Sequence, residues 1–73
     1  MDSALDLDVG EVGTVCGFSR RDMASKLLVM GVLPGCQIKL IRKGPLGGSY
    51  YIAIDAHFLA LRQKELLAIH VQK

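Results

Sequence analysis

The stretch LPGCQIKLIRKGPLGGSYYIAI, residues 33–54, decides the fold. Leu33-Pro34-Gly35-Cys36 has the chemistry of a type II turn: proline presets φ at the first central position, and glycine accepts a positive φ at the second. From Cys36 the apolar period becomes two. Cys36, Ile38 and Leu40 alternate with Gln37 and Lys39, the pattern of an antiparallel strand with one buried face. Gly44-Pro45-Leu46-Gly47-Gly48 interrupts it. A second strand follows over Ser49–Ile54, with Tyr50, Ile52 and Ile54 on one face and Tyr51 and Ala53 on the other.

Working outward, Asp55-Ala56 fits a tight turn, and His57–Leu61 returns as another strand. Arg62-Gln63-Lys64-Glu65 reads as a polar helical turn. Ala68–Val71 closes the chain as a strand with Ile69 and Val71 inward and His70 outward. Upstream, Gly13–Phe18 is a strand with Thr14, Cys16 and Phe18 on one face. Ser19 or Asp22 suits the N-cap of a helix, predicted over 22–30 from Met23, Leu27 and Met30 at i, i+4, i+7. Gly31 suits the left-handed position after it. Residues 1–8 read as a loosely held acidic leader. Five short strands, tight turns and one short helix predict a mainly β fold: a small SH3-like five-stranded barrel with the helix inserted between strands 1 and 2. An OB-like barrel is the alternative, with longer strands and more chain.

Composition agrees. Seventy-three residues make one domain at most and cannot hold a doubly wound dinucleotide-binding sheet. The chain is 51% apolar but only 5% aromatic, so the core is aliphatic. Charge is uneven: Asp2, Asp6, Asp8 and Glu11 make the leader acidic, and all nine bases lie beyond it. No apolar run reaches the roughly 18 residues of a membrane span, and the leader lacks the basic start of a signal peptide. The expected location is the cytoplasm, where Cys16 and Cys36 stay reduced. Both read as small buried hydrophobes.

Catalytic chemistry finds no constellation. Asp22, Asp55 and Glu65 fall in separate connections, and no serine sits in a nucleophile elbow. The 44–48 segment lacks the Lys-Ser/Thr of a phosphate loop. The metal-ligating candidates are Cys16, Cys36, His57 and His70, without the close pairing of a structural zinc site. His57 and His70 are the weak candidates for a surface Fe2+ or Zn2+. Tyr51 near Lys39 and Lys43 is a faint version of a nucleic-acid face, and no nucleic acid is expected as a partner. A protein-binding module needs none of these constellations, and Leu46 at the tip of a Gly/Pro loop is its natural contact.

Several segments together resemble the FeoA family, the small cytoplasmic component of bacterial ferrous iron transport. Leu27-Leu28-Val29-Met30-Gly31-Val32-Leu33-Pro34-Gly35 looks like its "L-x-x-[LM]-G-[LMV]-x-P-G" segment. Gly44-Pro45-Leu46-Gly47-Gly48 resembles its "A-P-L-G-D" loop, with Gly44 and Gly48 where Ala and Asp are common. Leu59 to Glu65, then Ile69-His70-Val71, resemble its "L-A-L-R-x-x-E-A-x-x-I-x-V" ending. Gly10 to Val15 is similar to its first turn and strand.

The resemblance implies an SH3-like barrel and a non-enzymatic role: binding the FeoB-type membrane transporter through its cytosolic G-protein region, in support of Fe2+ uptake. The expected partner surface is formed by the helix 22–30, the Pro34-Gly35 turn and the Leu46 loop, with Met30, Val32, Leu33, Pro34, Gly35, Pro45, Leu46 and Arg62 as its contact residues. The protein would be peripheral to the inner membrane through that partner, as a monomer or weak homo-oligomer. The same module occurs in metal-dependent repressors of the diphtheria toxin repressor type. A start at Met1 with no helix-turn-helix ahead favours the stand-alone protein. Alternatives are a small iron or zinc sensor or chaperone, and the repressor-type regulatory module.

Overall fold

The computed structural model describes residues 2–45 and 48–73. In chain order the elements are β1 (Asp2–Ser3), a 3₁₀ turn (Ala4–Asp6), β2 (Val12–Phe18) and α1 (Arg21–Val29). Then come β3 (Gln37–Lys43), β4 (Ser49–Ile54), β5 (His57–Arg62), α2 (Gln63–Leu67) and β6 (Ile69–Gln72). One antiparallel sheet of six strands runs β1-β6-β2-β3-β4-β5. It bends around an aliphatic core that includes Val15, Leu27, Ile38, Leu40, Ile52, Ile54, Leu61, Ile69 and Val71. The five expected strands are β2 to β6, and α1 lies between the first two of them. The sixth strand, β1, is two residues long and pairs Asp2 and Ser3 with Val71 and His70.

The turn that opens β3 follows from its residues. Gly35 has φ +94°, and the Cys36 N–H donates to the Leu33 carbonyl at 3.1 Å. The Gly35 N–H donates to the Val15 carbonyl at 2.7 Å, which ties the turn to β2. At the next connection Asp55 adopts φ +48° and its carboxylate accepts from the Gln37 N–H at 3.3 Å. Aspartate tolerates the left-handed region better than most residues, so this hairpin end is also pinned across to β3.

Helix α1 stops as expected and starts differently. The Val32 N–H reaches back to Leu27 O at 2.9 Å and the Gly31 N–H to Leu28 O at 3.1 Å. With Gly31 at φ +92° this is a Schellman motif, and its apolar contact is Leu27 with Val32, both fully buried. The N-cap is Arg20, not Ser19 or Asp22, and it supplies no side-chain cap. Asp22 sits in the first turn instead and takes the Arg20 guanidinium at 2.9 Å. Acid there suits the positive end of the helix dipole.

Two further expectations need correction. The leader is packed, not loose: Ala4 and Leu7 are buried in the core. Its acids organise it, because Asp6 accepts from the Ser3 N–H at 2.9 Å and Glu11 from the Asp8 N–H at 2.9 Å. Glu11 also faces Lys73 at 3.6 Å. Nor is Cys16 buried. The β2–β6 register shifts between Val15 and Gly17, so Cys16 is the extra residue of a bulge and is exposed. Gly13 and Val15 take the inward face instead.

One carboxylate is buried. Glu65 is 4% exposed. Its Oε1 accepts from the Arg62 N–H at 2.8 Å, closing the first turn of α2, and its Oε2 pairs with Lys26 Nζ at 2.6 Å. Burial disfavours its charge, but the Arg62 N–H and the Lys26 ammonium outweigh that and hold the carboxyl below its ordinary value of 4.5. Through this side chain α2 is fastened to α1.

Candidate interaction surface

The fold separates the residues expected to form one partner surface. Leu33, Pro34 and Gly35 precede β3, and Pro45 follows it. Seven extended residues lie between, so the two groups stand roughly 20 Å apart along the strand. Val32 contributes to neither, being fully buried beneath α1. Met30 is half-buried against the core. Leu46 lies outside the described residues.

At the first end, the final turn of α1 and the turn after it expose apolar side chains in sequence. Val29 is 89% exposed, with Leu28 and Leu33 about half as open beside exposed Pro34. Leu28 and Val29 fall off the Met23–Leu27–Met30 stripe, so helical periodicity already turned them outward. That signal is present in the sequence: the helix belongs to the expected surface, but neither residue is among its expected contact residues. At the other end, Gly48, Arg62, Gln63, Lys64 and Leu67 line a shallow depression. Arg62 stands opposite Ser49 in the β4–β5 ladder, which brings it beside the end of the 44–48 loop. Gly44 is fixed there: its N–H donates to Ser49 O at 2.6 Å, and a Cβ on it would run into that same oxygen. Glycine at 44 therefore fits this loop geometry.

The metal candidates do not converge. His57 is exposed at the start of β5, whereas His70 lies on β6, with β2, β3 and β4 between them in the sheet. Among the described residues no three His, Cys, Asp or Glu side chains come together as a metal site. The His70 Nδ1 is buried without a hydrogen-bond partner. The Asp55 carboxylate, then burial, push the Cys36 thiol above its ordinary pKa, which disfavours its thiolate. What the surface offers chemically is contact: exposed aliphatics on a rigid helix end, and a basic rim around Arg62 and Lys64. No helix among the described residues is long and apolar enough to cross a membrane.

The FeoA domain model matches residues 5–73. The FeoA-like protein of Clostridium acetobutylicum superposes with a TM-score of 0.88 at 22% identity, covering 97% of this chain and 84% of its own. Stenotrophomonas maltophilia FeoA complexed with zinc, described as a prokaryotic SH3 domain protein, gives 0.82 at 19% identity, covering 99% and 91%. A manganese-dependent transcriptional repressor gives 0.87 at 20% identity over 97% of this chain but 36% of the repressor. These likenesses establish the SH3-like fold.

Proposed function

The chain belongs to the FeoA domain family, and from that premise we propose that it is a non-enzymatic accessory protein of ferrous iron uptake. It binds the cytosolic G-protein region of an FeoB-type transporter and modulates it. The observation that carries this reading is the exposed apolar cluster at the end of α1, Leu28, Val29 and Leu33 beside Pro34. Exposed aliphatics grouped on a rigid element are the usual core of a protein contact. The Pro45–Arg62 end, with Leu46, is a second contact of the same partner. Fe2+ is the transporter's cargo in this account, and no ligand set of this chain is needed to hold it.

Titration calorimetry against the isolated cytosolic region of the transporter tests the proposal. Val29→Asp and Leu33→Asp keep the fold, since both side chains are exposed, and weaken binding at least about tenfold, the loss expected when a charge enters an apolar contact. Leu46→Asp weakens it less. Met30→Asp is a poor probe because Met30 packs on the core. Unchanged affinity in the folded Val29→Asp and Leu33→Asp variants would remove the helix end from the interface.

A further inference from the structure

The outer face of β3, β4 and β5 is apolar where an antiparallel sheet facing water should be polar. Two rows of paired residues define it. One runs Val12, Lys39, Ala53, Phe58 across four strands, and the other runs Arg42, Tyr51, Ala60. Alternation along β3 places Ile41 on the side of Lys39, where it is exposed, and the register shift between Leu40 and Arg42 brings Arg42 out opposite Tyr51. Phe58, 78% exposed, stands on β5, the last strand of the sheet. Lys39, Arg42 and Arg62 are exposed around these apolar groups. The three strands contain no carboxylate; the acid at the edge of the face is Asp55 in the β4–β5 turn, which lines a depression with Val12, Lys39 and Ala53 and accepts from the Gln37 N–H.

We propose that this face docks on an anionic lipid bilayer, with Phe58 and Ile41 entering the headgroup region and Lys39, Arg42 and Arg62 meeting lipid phosphates. Cationic side chains around an apolar centre suit the interface, because their stems lie along apolar matter while their heads remain with the charge. Lys39 and Arg42, three residues apart on β3, lie about a Debye length from each other, and Arg62 stands farther along the same face, so an anionic surface meets all three cations. Other occupants fit less well. Two copies of this face would oppose cation to cation. Single-stranded nucleic acid needs successive open aromatic platforms, but the Arg42 guanidinium already covers the Tyr51 ring at 4.7 Å from its centroid. The face shares Arg62 with the second transporter contact but not the α1 end that carries it, and its test contains no transporter.

Co-sedimentation with phosphatidylcholine vesicles, with and without phosphatidylglycerol, decides it. The full chain is expected to bind the phosphatidylglycerol vesicles, to leave the neutral ones, and to dissociate as salt is raised. Phe58→Ser and the double variant Lys39→Glu/Arg42→Glu, both surface changes whose folding circular dichroism checks, reduce partitioning on the order of tenfold or more. Val29→Asp leaves it unchanged. No binding to anionic vesicles overturns the proposal. So does binding that ignores salt and survives both variants, or capture of a single-stranded oligonucleotide or acidic peptide in place of vesicles.

Discussion

Leu27→Ala is expected to cost about 3 kcal/mol of folding stability, seen as a fall in melting temperature on the order of 15 °C. Leu27 is fully buried and does two jobs at once. It anchors α1 on the core with Met23, and it is the apolar partner of Val32 in the motif that ends the helix. Alanine leaves a cavity at a place where backbone hydrogen bonds on both sides restrict collapse. A helix of nine residues is not stable alone, so loosening this anchor frees the end that carries Val29 and Leu33. Binding to the transporter should weaken along with stability. Val29→Ala is the control, at within about 0.5 kcal/mol of the parent, because its side chain stands in solvent.

Glu65→Ala is expected to cost about 2 kcal/mol, detected by urea denaturation. The change removes the reach-back bond to the Arg62 N–H, a helix-start contact worth about 1 kcal/mol. It also removes the link to Lys26, whose side chain is more than half exposed and which therefore adds less than about 1 kcal/mol. Glu65→Gln keeps an acceptor for the Arg62 N–H and should fall between the two. The pH dependence has a definite sign. The native carboxyl titrates below 4.5, its ordinary value, so its contribution is complete above the ordinary range. It is lost as pH falls through that range and past the lowered native value. Acid melting of the parent should therefore be steeper than that of Glu65→Gln.

Much of the fold was legible because one-sided burial forces a period of two. Ile38 and Leu40 against Gln37 and Lys39, and Tyr50 to Ile54, point where the alternation puts them. The Pro34-Gly35 turn and Gly31 were legible because each needs a positive φ that glycine supplies. What escaped was irregular pairing. The bulge at Cys16 depends on β6, more than 50 residues away, and no local pattern announces it. The packing of the leader depends on Ala4 and Leu7 finding the core, while its aspartates suggested solvent. For the interaction surface, residue types were informative and their grouping was not. Nothing in the spacing of Pro34 and Pro45 says that a whole strand holds them apart, nor that Val32 turns inward beneath α1. Leu28 and Val29 were readable as the outward residues of α1, but a motif-based surface drew attention to the residues after the helix instead.

The central claim is that this chain serves ferrous iron uptake by contact with the transporter. Its most direct test is radioactive iron uptake, under anaerobic conditions, in cells lacking the chain and carrying either the parent or the Val29→Asp/Leu33→Asp variant at equal abundance. The account predicts reduced Fe2+ uptake without the chain, recovery with the parent, and little recovery with the variant. Full uptake in its absence, or full recovery with the variant, would contradict it.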